Sequence, residues 1–354
     1  MEDSVFTATL CFVGDVMCHS TQFNYAKVSA DSFDFTGVFF EVKKFLSEPD
    51  LTIGNLETVI AGSKTGYSGY PYFNAPDDFI FALKNAGFDL LITANNHALD
   101  QGWDGVKRTI EVINQNKIHR TGTFISQEDR DSIRIFQINS IKIAILAYSE
   151  NTNGLPIPEG KDYSINLIDE KAIKKDIDKA RLKNVDVVLV HLHYGPEYNR
   201  EPGDYQKDIV QKIIDIGADI IIGGHPHVIQ PTRFFKTNHT KLDSGFIAYS
   251  MGNFVSNQRW RYSDAGVILN IQISKNIFTD SLFISEVNYL PTWVFKGQTE
   301  KGREYIILPL SNEINDSTYD YLTMEDKKLM REAFSDTKEI INLYNSNLKL
   351  FNPN

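Results

Sequence analysis

The chain has almost no cysteine, no apolar run long enough to cross a membrane, and a shortage of positive charge. Cys11 and Cys18 are the only cysteines among 354 residues. They lie on either side of an expected strand end, where an extended segment would hold them too far apart to bond. A disulfide framework is therefore not expected, and a reducing compartment fits. Lys and Arg number 36 against 46 Asp and Glu, a formal charge of −10. Affinity for a phosphate backbone comes from clustered Lys and Arg, so nucleic acid is not an expected partner. An anionic substrate has to be held by local cations or by metal ions. The opening MEDSVFTATLCFVGDVM is acidic, has a short apolar stretch and runs straight into Gly14 and Asp15, which fits neither a signal peptide nor a membrane span. This reading places the chain as written in the cytoplasm; a membrane-associated or extracytoplasmic location would require an anchor ahead of it.

What is present is a hydrophobic content of 42%, enough for a real core. Apolar, β-rich runs bounded by Gly, Asn or Asp recur at 7–13, 51–53, 89–93, 141–148, 185–191 and 220–222, and read as buried strands. Helical spacing falls between several of them, at 37–46, 77–85, 103–114, 169–183 and 204–216. Alternation of this kind predicts an α/β fold with parallel pairing. From about Gly245 the texture changes to successive strands (FIAYSMGNFVS, AGVILNIQIS, SLFISEVNYLPTWVF), which suggests a second, more antiparallel sheet. An amphipathic helix is expected over 324–344, with polar flanks and a frayed NPN end.

Of eight histidines, all but His119 and His239 sit in four short clusters behind expected strands or helices. Loops at strand ends are where α/β proteins assemble sites from sequence-distant residues. In the first cluster, Gly14-Asp15-Val16-Met17-Cys18-His19, Asp15 stands at a strand end where a carboxylate can bind a divalent cation, with His19 a second candidate. A turn or capping aspartate is the plainer reading of Asp15 alone, and Cys18 reads as packing. In Gly54-Asn55-Leu56-Glu57, the period of two aims Asn55 and Glu57 to the same side, offering an amide oxygen and a carboxylate. Alone, this segment reads as a turn with a surface glutamate. In Asn95-Asn96-His97-Ala98-Leu99-Asp100, a helical turn beginning near Asn96 brings Asp100 beside His97, so that the carboxylate orients the imidazole as a proton donor. A capped helix start with a local His–Asp bond is the alternative.

The fourth set is His191-Leu192-His193 with Gly223-Gly224-His225-Pro226-His227. A strand period places His191 and His193 on one face. Pro226 biases His225 toward an extended backbone, and His225 and His227 then present imidazoles in nearly one direction. A lone histidine is usually structural, but paired histidines after a buried strand suit neighbouring metal ions. The mixed oxygen and nitrogen donors point to divalent metal ions, Mn, Fe, Zn or Mg, rather than a structural zinc site.

GDVMCH, GNLET, TANNHALDQG, HYGPEY, GADIIIGGHPHVIQP and YSMGNF, in this order over roughly residues 5–275, resemble the motif series of the CapA family of poly-γ-glutamate capsule proteins, a branch of the calcineurin-like metallophosphatases. The resemblance implies a four-layer α/β/β/α sandwich with a two-metal site at the strand ends. It implies a CapA-like domain over 1–300 and leaves the tail beyond uncovered; residues 301–354 are expected to form a helical C-terminal extension packing on that domain. Asp15 resembles the first metal carboxylate. The phosphoesterase pattern has a histidine two residues later, where this chain has Met17, so the first site calls for His19 as a replacement. Asn55 or Glu57 takes the place of the bridging carboxylate. Asn96 resembles an amide ligand and His97 the catalytic proton donor, while His193, His225 and His227 resemble the imidazole ligands. His191 is extra to the pattern, and Asn253 occupies a supporting position.

The expected chemistry is hydrolysis by metal-activated water, with His97 and Asp100 serving the leaving group. The substrate is an anionic small molecule or polymer, a phosphoester or poly-γ-glutamate, and capsule-assembly partners follow from the resemblance. Cleavage of a γ-glutamyl amide by the same centre, and a non-catalytic component that grips poly-γ-glutamate, are the rivals. A TIM-barrel hydrolase ranks lower, because such barrels place a His-x-His pair early and here both pairs come late. Arg200, Arg233, Arg259 and Arg261 are candidate anion anchors, with solvated surface as the plainer role.

Overall fold

A computed structural model describes residues 5–237, 241–312 and 319–351; His239 and the NPN end fall outside them. Two sheets carry the site. In the nine-stranded sheet, Val5–Val16 runs parallel to Leu51–Leu56, followed in parallel by Leu90–Ile92 and His119–Thr121. On its other side Ala265–Asn276, Leu282–Thr299 and Gly302–Pro309 follow antiparallel. The six-stranded sheet has a parallel centre, in the order Ser244–Ala248, Ile220–Gly224, Val187–His193 and Ile141–Ser149, with antiparallel edges Thr232–Lys236 and Arg134–Ile138.

The apolar runs read as strands because both faces of each are covered. Ala8, Leu10 and Phe12 share one cluster with Ile143, Ile145, Leu189, Ile220 and Ile222 of the six-stranded sheet. The alternate residues Cys11 and Val13 pack instead with Phe39, Phe79, Leu83 and Ile113 from helical segments. On the other sheet Val188, Val190 and Ile221 pack with Ile173, Ile177, Ile209 and Ile213 of helices Glu170–Leu182 and Asp204–Ile216. Each such side chain removed from water contributes about 1.5–3 kcal/mol. Cys11 and Cys18 are buried free thiols, as the spacing requires.

The late strands do not form the separate sheet expected from their texture. Asn253–Val255 pairs in parallel beside the end of the first strand, Asp15 opposite Asn253, and returns the chain to that strand's free edge. Ala265–Asn276 then lies antiparallel along it, Val13 opposite Ile268, so these strands widen the first sheet. The hairpin from Leu282–Thr299 to Gly302–Pro309 crosses position 300, and residues on both sides of it share that sheet. The helix expected over 37–46 is broken into Thr36–Phe39, a 3₁₀ turn at Phe40–Val42, and Lys43–Ser47. Helix Met324–Ile341 starts at a Thr323/Asp326 capping box and sets Met330, Ala333, Ile340 and Ile341 into the core between the sheets. No described helix is long and apolar enough to cross a membrane.

Candidate metal centre

The first strand ends at Asp15, which is fully buried. Its carboxylate accepts Asn55 Nδ2 at 2.7 Å and the His225 backbone N–H at 3.1 Å, and lies 3.1 Å from His227 Nδ1. Such proximity requires a missing side chain: a Cβ on Gly224 would stand 2.6 Å from Asp15 Oδ1. The neighbouring parallel strand delivers Asn55 at its end and Glu57 just beyond, where the Glu57 N–H donates to Val16 O at 3.0 Å.

Glu57 is also fully buried, and neither carboxylate oxygen has a hydrogen-bond partner among the described residues. His193 Nε2 lies 3.4 Å and His227 Nε2 3.7 Å from its Oε1. Two compact donor groups result, Asp15 with Glu57 and His193, and Glu57 with His225 and His227, the ligand atoms of each within 4.8 Å of one another. Glu57 is common to both. Asn55 instead turns its amide nitrogen to Asp15 and to His193 Nδ1, at 2.7 and 3.1 Å.

His225 is not extended, as Pro226 led us to expect, but has φ +93°, with His227 at +58°. A left-handed backbone is unfavourable in residues other than glycine. Here it turns the His225 N–H onto Asp15 Oδ2, a charge-assisted bond that offsets the cost. His225 Nδ1 is itself buried without a partner.

The electrostatics fit a centre built for cations. Burial, then the adjacent Asp15 charge, pushes Glu57 up to about 8. Burial pushes His193 and His225 down to about 3. Burial also disfavours a charged His227, but Glu57 and Asp15 outweigh it and hold that imidazole up at about 9. For Asp15 burial acts upward, yet its bond to His227 and the surrounding charges take the carboxyl well below the usual range. A buried charge without a partner costs several kcal/mol, so the lone Glu57 carboxylate and the unpartnered His225 nitrogen fit occupation by divalent cations.

His97 stands at the rim in the turn after Leu90–Ile92, its Nδ1 2.7 Å from Asp100 Oδ2. The same oxygen accepts the Phe73 N–H at 2.7 Å, and the Phe73 ring meets His97 edge-on at 4.7 Å. Asn96 Oδ1 lies 2.8 Å from His193 Nε2. His19 joins neither donor group; its Nδ1 accepts the Asn257 N–H at 3.3 Å and lies 3.1 Å from Gln22 Oε1. His191 is buried with Nδ1 unpartnered and is likewise outside both groups. Asn253 Oδ1 lies 3.0 Å from His227 Nδ1. Met17 is buried, with the Ser256 hydroxyl 3.6 Å from its sulfur, and Cys18 packs in the apolar cluster behind.

The arginines are engaged elsewhere: Arg200 and Arg261 bond Asp336, Arg233 reaches the Tyr249 hydroxyl, and Arg259 lies 5.0 Å over the Trp293 ring. Asn95, to which the sequence alone assigns no role, has one in the fold. Its Nδ2 bonds Asn55 Oδ1 at 3.2 Å and Leu56 O at 2.8 Å, and its Oδ1 accepts the His97 N–H at 3.2 Å. Two adjacent asparagines before a histidine were the available signal.

Every one of these donors lies within residues 9–258, which match the family model described as bacterial capsule synthesis protein PGA_cap. The chain belongs to the PGA_cap family. Among its relatives, the capsule biosynthesis protein CapA of Bacillus anthracis is 29% identical over 275 residues, covering 76% of this chain and 64% of the relative. The PGA biosynthesis protein CapA of Bacillus subtilis (strain 168) is 28% identical over 287 residues, covering 77% of this chain and 69% of the relative. This PGA_cap chain thus spans about two thirds of the length of those relatives. Its fold is that of the calcineurin-like metallophosphatases. The NAD nucleotidase NadN of Haemophilus influenzae superposes with a TM-score of 0.50 at 13% identity, over 95% of this chain and 61% of that one. A protein described as a 5'-nucleotidase from Staphylococcus aureus, solved with α-ketoglutarate, gives 0.50 at 13% identity over 93% and 58%.

Proposed function

We infer that this chain is a metal-dependent hydrolase of the phosphoesterase type acting in poly-γ-glutamate capsule biosynthesis, in which Glu57 would serve two divalent ions in common. The observation that carries this reading is the buried Glu57 carboxylate, shared by both donor groups and bonded to nothing else. Asp15 and His193 would complete one side, and His225 and His227 the other, with Asn96 offering an amide oxygen at the border and Asn55 steadying Asp15 through its amide nitrogen. His19 lies outside both donor groups, its Nδ1 close to the Asn257 N–H and to Gln22 Oε1.

Divalent ions held there lower the pKa of water and stabilise charge on the attacking and leaving oxygens of a phosphoester. The remaining work falls to side chains. Asp100 fixes the His97 ring through Nδ1, leaving Nε2 to give a proton to the departing oxygen. Phe73 walls the imidazole on one side and keeps water from it. Asn95 ties the two halves together by bonding Asn55 and the His97 backbone at once.

One observation favours a second reading, a metal-containing but non-catalytic holder of poly-γ-glutamate: Met17 stands where the phosphoesterase pattern has a histidine, so one imidazole is missing. Hydrolysis of p-nitrophenyl phosphate after loading with Mn, Zn, Fe or Mg separates the two. Turnover lost on removing the metal supports the hydrolase, whereas no turnover with any ion, together with tight binding of the polymer, supports the holder.

A further inference from the structure

Three large rings are left open to solvent at the metal centre. Tyr70, Tyr198 and Trp260 are 74%, 40% and 50% exposed. Tyr70 lies 6.4 Å from the His97 ring, Tyr198 lies 6.1 Å from the His227 ring, and Trp260 meets Tyr198 edge to face at 5.2 Å. The rings therefore flank both the proton-donor side and the metal-ligand side of the site.

They are also held in place. Tyr198 has φ +65°, a strained conformation for a bulky residue, secured by its N–H bond to Pro226 O at 2.7 Å. Its hydroxyl accepts Gln258 Nε2 at 3.3 Å; Gln258 Oε1 accepts Asn253 Nδ2, and Asn253 touches His227. On the opposite side, a pair of backbone bonds between Ser68 and Asn74 closes the loop bearing Tyr70, and the Phe73 N–H anchors that loop to Asp100. Strain and second-layer bonding spent on exposed rings point to a ligand that lies against them. The cations that follow Tyr198 and Trp260 in the chain, Arg200 and Arg261, are turned to Asp336. Rings thus stand where a polyanion would need free positive charge.

We propose that Tyr70, Tyr198 and Trp260 form an aromatic collar that selects a phosphoester carrying a flat ring, an aryl or nucleobase group, close to the scissile bond. The proposal deepens the hydrolase reading and rests on it for the place of the phosphoryl group. Stacking on such rings, preorganised as these are, raises affinity roughly tenfold.

Calorimetric titration of manganese-loaded protein with phenylphosphonate and with methylphosphonate tests it without requiring turnover. The phenyl compound binds about tenfold tighter, and Trp260→Ala and Tyr70→Ala each lose most of that preference. Their manganese content and methylphosphonate affinity stay within about twofold of wild type. Tyr198→Asn removes the third ring while keeping a residue that tolerates the left-handed backbone, and has the same effect. Equal affinity for the two phosphonates, binding of neither, or a phenyl preference that survives all three substitutions would overturn the collar. Failure of the hydrolase reading shows differently: no aryl phosphate is turned over, yet the phenyl preference still follows the three rings.

Discussion

Asp15 and His227, 212 positions apart in the chain, meet with Oδ2 of one 3.1 Å from Nδ1 of the other. The same carboxylate takes the His225 N–H and the Asn55 amide, so one residue at the end of the first strand organises both histidines of the GHPH turn and its neighbour on the adjacent strand. This contact joins the two sheets at the site, together with the contacts of His193 to Asn55 and Asn96.

Gly224→Ala tests the space that this arrangement needs. The added methyl would sit 2.6 Å from Asp15 Oδ1, closer than real contacts allow, so the carboxylate must swing away. We expect metal affinity to fall by roughly 10–100-fold, with circular dichroism unchanged. Metal titration of the two proteins side by side checks it.

Glu57→Gln should harm function and help the metal-free fold. The folded-state pKa of Glu57 is raised to about 8, above its ordinary value of 4.5, so ionisation favours the unfolded chain between those values. In this window the native state keeps the proton while the unfolded state has lost it, and stability declines as pH rises. Glutamine removes that decline. Urea unfolding of chelator-treated protein should therefore show the variant gaining on wild type from about pH 5 to pH 8.

His97 and Asp100 should act as a unit. Asp100→Asn leaves an oxygen that can still accept from the Phe73 N–H and from His97 Nδ1 but removes the carboxylate's charge, and His97→Ala removes the proton donor altogether. Each should lower kcat toward aryl phosphates by roughly 10²–10⁴-fold while changing KM little. Combining them should cost little more than either alone, which steady-state kinetics of the three variants will show.

Much of this molecule was legible in the chain, for identifiable reasons. The runs at 141–148 and 220–222 read as strands because both faces of each are covered, and they fall within Ile141–Ser149 and Ile220–Gly224. His97 and Asp100 were paired from spacing alone, since their contact is local. What stayed hidden depends on distant partners. The left-handed turn at His225 answers to a carboxylate 210 positions earlier, which overrides the local bias of Pro226. A period of two aims Asn55 and Glu57 the same way and does not separate them; in the fold His193 and His227 close around Glu57, while Asn55 turns its amide nitrogen to Asp15. The sheet that receives Ala265–Asn276 was set by the pairing of Asn253 with Asp15, which leaves no trace in local composition. Tyr70 and Tyr198 lie in turns, where exposed rings follow no period.

The most direct test of the account is elemental analysis of purified protein after loading with manganese, for wild type, His225→Ala and Glu57→Gln. Because Glu57 belongs to both donor groups and His225 to one, we expect about two ions per wild-type chain, about one in His225→Ala, and loss of nearly all metal in Glu57→Gln. Wild-type metal content in Glu57→Gln would contradict the shared-carboxylate centre on which the proposed function stands.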